Sequence, residues 1–188
     1  MKIKWPGLAF ISLLVFSSLA CTLFIGGPSL PSEKITASPE GLASLLQKIQ
    51  SSQAAALENG ILTLSITESE LSSLLASKLS DQPDSLIQNL QVVLQNNEIQ
   101  IYGVTTKGNF QANSRVVIAV AMDPDGKPIF KVTSADFGPM PAPEGLTDAI
   151  STLIDQAFTG VIGPAITGIR LDSVVISDGI LTLTGRVK

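Results

Sequence analysis

The sequence predicts an α+β domain: a curled antiparallel sheet of about seven strands packed on a long amphipathic helix, with one or two further helices. Three observations predict it. From residue 86 to 137 apolar and polar residues alternate with period two. The breaks between these stretches (Asn96-Asn97, Lys107-Gly108-Asn109 and Asp123-Pro124-Asp125-Gly126) carry residues that tolerate positive φ, as hairpin turns require. Residues 144–162 instead repeat apolar positions every three or four residues, the helical period. A last pair of alternating stretches, 169–176 and 180–187, flanks Ser177-Asp178-Gly179 and reads as a closing hairpin.

The chain begins with an address. Lys2 and Lys4 precede an apolar run from Trp5 to Leu19, and Ser18-Leu19-Ala20-Cys21 follows. A basic start, an apolar middle and small residues before a cut describe a secretory signal. Cys21 after Leu19-Ala20 looks like a lipobox cysteine, lipidated and made the new first residue, although the usual Leu position three residues before it holds Ser18. The alternative is an uncleaved anchor, because Leu23, Phe24 and Ile25 extend the apolar run to about 20 residues, enough to span a bilayer. Residues 1–20 are therefore read as a lipoprotein-type signal peptide or membrane anchor, and both readings put the rest outside the cytoplasm. Residues 21–38, rich in Gly, Pro and Ser, read as a Cys-anchored flexible tether. Residues 39–188 are the size of one domain.

The elements follow in order. Ser38 can cap a helix over 39–57, with Pro39 in the first turn, Glu40 at the positive end of the dipole and Asn59-Gly60 as its stop. Leu42, Leu45, Leu46, Ile49 and Ala56/Leu57 form its apolar stripe. A strand over 61–66 points Leu62, Leu64 and Ile66 to one side. Thr67-Glu68-Ser69-Glu70 then fits a capping box opening a helix to Leu79, with Leu71, Leu74, Leu75 and Leu79 inward. The hairpin meander comes next, and Val116–Met122 is apolar on both faces, so cover on both sides is expected. A stiff connector, Gly138-Pro139-Met140-Pro141-Ala142-Pro143, leads into the long helix, which Gly160, Gly163, Pro164 and Gly168 end. Asn59-Gly60-Ile61-Leu62-Thr63-Leu64 echoes Asp178-Gly179-Ile180-Leu181-Thr182-Leu183, which reads as turn-then-strand chemistry converging on itself.

Composition narrows the chemistry. The chain has no His and one Cys, which removes His/Cys zinc sites and Ser-His-Asp or Cys-His catalysis, so no metal and no cofactor is expected. A net charge of −4, made more negative by two if Lys2 and Lys4 leave with the signal, argues against nucleic acid as a partner. It also argues against electrostatic attraction to anionic lipid, so the N-terminal anchor must hold the domain on its membrane. Most acidic residues sit in turns, caps or polar helix faces, and no pair is marked for acid-base work. A paired-carboxylate hydrolase stays a minor alternative, and the expectation is a protein without catalytic residues. Asp123-Pro124-Asp125-Gly126-Lys127 reads as a hairpin turn rather than a calcium loop, because Pro128-Ile129-Phe130 follows where further oxygen ligands would stand. Aromatic residues within 39–188 are few: Tyr102, Phe110, Phe130, Phe137 and Phe158.

The strand running into Thr67-Glu68-Ser69-Glu70-Leu71, the connector Asp136–Pro143 and the closing stretch Val174–Arg186 together resemble small exported proteins of the YpmS and LmeA-like type, related to the tubular lipid-binding (TULIP) fold. The resemblance spans about 60–188. It implies an apolar groove for an acyl chain and carries over no catalytic residue. The expectation is thus an extracytoplasmic binding module for a lipid or other apolar ligand, lipidated at Cys21 and anchored to the bacterial cell membrane. Its ligand would lie between the sheet and Ile150, Leu153, Ile154, Ala157 and Phe158 of the long helix. The alternative is a structural or partner-binding envelope lipoprotein with a solid core, whose protein partner the sequence does not name.

Overall fold

In the computed structural model the described residues are 22–80, 87–124, 126–141 and 146–188. Residues 1–21, on which the signal-peptide or anchor expectation and Cys21 fall, lie outside them. The order is β1 (Leu23–Phe24), α1 (Pro39–Asn59), β2 (Ile61–Thr67), α2 (Glu68–Ser80), β3 (Ile87–Gln95), β4 (Glu98–Lys107), β5 (Phe110–Met122), β6 (Pro128–Asp136), α3 (Leu146–Ala157), β7 (Ile169–Ser177) and β8 (Ile180–Val187). A π-helical turn, Phe158–Ile162, and a 3-10 turn, Gly163–Ile166, follow α3 directly.

The fold is α+β with curled sheets, but it departs from the expectation in two ways. Eight strands divide between two sheets: five in the order β1-β5-β4-β3 with β6 also on β5, and three in the order β2-β8-β7. The expected long helix is also short. α3 has 12 residues against 21 in α1. Its ladder widens where Gly163 N–H reaches back to the Phe158 carbonyl, and Pro164, which has no N–H, ends α-helical pairing.

Local rules account for the ends of most elements. The Ser38 hydroxyl accepts from Gly41 N–H at 3.1 Å, and Gly60, at φ 77°, closes α1 by donating to the Ala56 carbonyl. The β3–β4 turn is Asn96-Asn97 with φ of 54° and 59°, and the β7–β8 turn is Asp178-Gly179 with 51° and 74°. Two successive positive φ values are the signature of the hairpin turn whose twist matches the strands. The β5–β6 turn is also a hairpin: Asp123 N–H donates to the Lys127 carbonyl, and the Asp123 carboxylate accepts from Lys127 N–H at 2.7 Å. Asp125 lies outside the described residues.

The core lies between the sheets and beneath the helices. β2 alternates cleanly, burying Leu62, Leu64 and Ile66, and it pairs antiparallel with β8 so that Leu64 stands opposite Leu183. The two echoed stretches of sequence are therefore partners on one sheet and meet the same demand for an alternating strand with one buried face. α1 packs on β2 and α2, α2 on β3, and α3 on α2 and β6. The stripe of α1 is narrower than expected, since Leu45, Ile49 and Ala56 are buried whereas Leu46 and Leu57 are exposed. On β5, Val116, Val117 and Ile118 are buried, but Ala121 is exposed, so cover on both faces ends before the strand does. Ladder irregularities at Gln88/Gln91, Val117/Ile118 and Leu171/Ser173 add local twist and curl the sheets.

Residues 22–38 form a strap on the large sheet, where a free tether was expected. β1 pairs parallel with the start of β5, and Asn113 N–H then donates to the Gly26 carbonyl at 2.9 Å. β1 and β6 share one edge of β5, β1 at Phe110–Gln111 and β6 from Arg115 onward. Further on, Asn113 Nδ2 donates to the Pro28 carbonyl, Ile35 N–H to Gln91 Oε1 and Ser38 N–H to Ser73 Oγ. The crossing works because Gly27 meets Gly138 there: a Cβ on Gly138 would stand 2.6 Å from Gly27 Cα. Gly and Pro made this segment look free, but an extended chain with unpaired amides also suits an open strand edge.

Candidate functional site

α3 places four of the five residues singled out for a groove on its buried side. Ile150, Ile154, Ala157 and Phe158 are all buried. The side chain of Leu153 lies outside the described residues. The groove itself is closed. Ile154, Ala157 and Phe158 join Leu71, Leu74, Leu75, Ile99, Phe130, Ile162 and Leu181 around a space of only about 20 Å³, and Ile150 does not line it. That is room for about one water, in a lining with no polar group to hold it, so such a space stays dry. These residues are core, and among the described residues the space between α3 and the sheet has no room for an acyl chain.

The open space lies on the far side of Phe158. A cleft of about 350 Å³ runs between the β5–β6 hairpin and the turns after α3. Phe130, Phe158, Ile166 and Ile169 supply its apolar walls, and Lys127, Asp155 and Lys188 stand among its polar ones. Phe130 and Phe158 border both the cleft and the sealed space. Their rings are 4.7 Å apart between centroids with planes at 55°, a tilted aromatic contact. The pair therefore lines both spaces at once.

The backbone explains why the cleft exists. A regular helix would carry residues 158–166 along the axis of α3. The π-helical turn widens the helix at Phe158 and Pro164 breaks it, so the chain folds over into Gly163–Ile166 and then β7. Gly163 and Gly168 stand in the resulting wall and project no side chain into it. The sequence reading marked these residues as a helix end. It missed Phe130, Ile166 and Ile169 as wall residues. The one signal available was the scarcity of aromatics: of five within 39–188, two meet here.

Two other hollows of about 600 Å³ differ in character. One lies beside the β5–β6 turn, with Arg170, Asp172 and Arg186. Arg186 grips Asp172 with two hydrogen bonds of 2.8 and 3.1 Å, and this bond holds the Asp172 carboxyl below its ordinary range, against slight desolvation and with help from the Arg186 and Arg170 charges. The other lies under the strap, between Leu30–Ala37 and Asn89–Gln91.

Two of the acidic residues, Glu70 and Glu68, hold elements together. Glu70 is buried and sits at the centre of a network: it accepts from Ser44 Oγ at 2.6 Å, Lys48 Nζ at 3.0 Å and Thr67 N–H at 2.9 Å, while its own N–H donates to Thr67 Oγ1. Burial pushes its pKa up, but the Ser44, Thr67 and Lys48 hydrogen bonds outweigh that and leave it below the ordinary 4.5. Glu68 accepts from Leu94 N–H and ties α2 to β3. Among the described residues, no three His, Cys, Asp or Glu side chains gather as metal ligands would.

No family model matches the chain, and no curated protein is similar to it in sequence. Among solved structures it is similar to a crystal structure of lipopolysaccharide binding protein, at 14% identity and a TM-score of 0.26, over 69% of this chain and 49% of that one. The chain spans about half the length of that neighbour, and at such a TM-score the likeness carries no weight for fold or function.

Proposed function

We propose that the protein is an extracytoplasmic, membrane-tethered module that binds an apolar or amphiphilic ligand, without catalysis, in the cleft beside Phe158. The observation that carries this reading is the shared Phe130–Phe158 border: a cleft of about 350 Å³ with mixed lining and a wholly apolar space of about 20 Å³ both meet these two rings. The cleft's volume falls at the low end of small-ligand pockets, which hold about 300–1,000 Å³ and combine apolar walls with a few polar groups. Phe130, Phe158, Ile166 and Ile169 would hold a hydrocarbon segment, and Lys127 and Lys188 would meet an anionic head. Swinging the Phe158 ring would join the two spaces and lengthen the channel. Cys21 as lipid anchor and the extracytoplasmic setting rest on the sequence signal.

A second reading, a partner-binding envelope lipoprotein with a solid core, is favoured by the closure of the α3 groove to about 20 Å³. Native mass spectrometry of residues 22–188, purified without detergent and followed by organic extraction, separates the two. A retained mass that extracts as lipid supports the binding module. A bare mass, with no uptake of added oleate or of phosphatidylglycerol from vesicles, supports the solid core.

A further inference from the structure

Besides the cleft, the molecule has an apolar end. Leu23, Phe24 and Phe110 are 59%, 57% and 49% exposed, and all three lie where β1 meets the tip of the β4–β5 hairpin. Leu23 stands in register with Phe110, and Leu23 N–H donates to the Asn109 carbonyl at 2.7 Å. Lys107, exposed, stands opposite Phe110 across the hairpin. Leu23, Phe110 and Lys107 share one face of the sheet and Phe24 takes the other, so this tip is apolar on both sides, unlike singly scattered surface apolarity.

We propose that this end docks on the lipid bilayer, Leu23, Phe24 and Phe110 entering the interface and Lys107 meeting the head groups. The proposal rests on the membrane-tether reading above. Its geometric argument is the short distance to the anchor. Only Thr22 separates Cys21 from Leu23, so about two Cα steps of 3.8 Å join them. Phe110 lies one strand spacing beyond, about 4.8 Å. An acyl group on Cys21, or a spanning helix ending there, would place the patch at membrane depth with no slack to withdraw it. The strap removes the slack that a free tether would give: Ile25 N–H donates to the Gln111 carbonyl, Asn113 binds the Gly26 and Pro28 carbonyls, and Gly27 is wedged against Gly138. Bilayer interfaces favour an aromatic ring with a nearby Lys.

The same geometry orients the domain. β4 covers ten residues from Glu98 to Lys107, so the β3–β4 turn lies about 33 Å from the docking tip. Ile176 N–H donates to Asn97 Oδ1, which fixes the β7–β8 turn, with Asp178, at that far end. The Asp178 end would face away from the membrane.

The test uses the full chain carrying W5F, so that one introduced indole reports. F110W and F24W are placed at the docking end and I180W beside Asp178. Each is mixed with phosphatidylethanolamine/phosphatidylglycerol vesicles whose acyl chains carry bromine, and flotation is scored in parallel. The expected result is flotation with loss of most of the F110W and F24W emission and none of the I180W emission. Flotation with unquenched F110W and F24W overturns the docking surface and leaves the tether standing. Equal quenching at both ends also overturns it. A chain that does not float overturns docking and tether together. All three sites are exposed, so the substitutions leave the core untouched.

Discussion

The two helical flanks of the molecule use similar apolar residues to different ends. Around α1, β2 and α2, apolar packing is laced with buried polar bonds. Ser38 caps α1 and donates its N–H to Ser73 of α2, Glu70 joins Ser44, Lys48 and Thr67, and Ser72 Oγ accepts from Val92 N–H of β3. Around α3 the described contacts to the sheet are apolar, and the helix dissolves into a π turn and a 3-10 turn. Satisfied polar networks specify one arrangement, because every alternative leaves a buried group unpaired. Aromatic and aliphatic contacts tolerate sliding, since each contact is weak and non-directional. On this argument the first flank is expected to be the stiffer frame, and the π-helical break after α3 the place where the fold opens first.

The largest effect should come from the frame. Leu64→Ala removes a side chain almost wholly buried between Leu183 and the helices, and should cost about 2–5 kcal/mol by urea denaturation. A loss under about 1 kcal/mol would mean that the site collapses easily and that the frame is no stiffer than its neighbour. Phe158→Ala should cost less, about 2–3 kcal/mol, because one face of the ring already borders the cleft. It should also merge the cleft with the sealed space and raise uptake of an apolar dye. Unchanged dye binding would show that the ring pair does not divide a common channel.

Glu70→Gln should cost about 1–2 kcal/mol near neutral pH, from weakened charge-assisted hydrogen bonds. The pH dependence sharpens the comparison. A carboxyl held below its ordinary value contributes stability that is full above 4.5 and is lost as pH falls through that value toward the lower folded one. Wild type should lose that part of its urea midpoint on acidification, and Glu70→Gln should lack it. Parallel acid limbs in both proteins would remove Glu70 as the source. Asp172→Asn should give the smallest effect, a urea midpoint indistinguishable from wild type, because the Asp172–Arg186 pair is solvent-screened on the surface.

How much of this was legible before the fold depends on range. The capping box at Thr67–Glu70, the Ser38 cap, the Asn96-Asn97 and Asp178-Gly179 turns and the inward Leu62, Leu64 and Ile66 all follow from neighbours within a few residues, and they stand as read. Periodicity carries α3 five residues too far at its C-terminal end, because Phe158–Ile162 keeps helical spacing while its hydrogen bonds lengthen to five residues. Periodicity follows side chains and does not register that change in the ladder. Placing the ligand groove at Ile154 and Ala157 identified a buried helix face but could not tell a filled one from an empty one. That distinction turns on Leu74, Ile99 and Leu181, which come from three other elements.

By itself, then, the sequence determined most of the elements from α1 onward, their caps and turns and the main apolar faces, because these follow from backbone sterics and hydrogen bonding over a handful of residues. Only the tertiary structure decided that β2 would join β8 rather than the large sheet, that the Gly/Pro-rich strap would lie on β5, and that Phe130 would meet Phe158. Each of those outcomes pairs residues far apart in the chain, and strand edges offer the same backbone groups to any partner. What selects among the partners is the volume and shape left when the whole core closes.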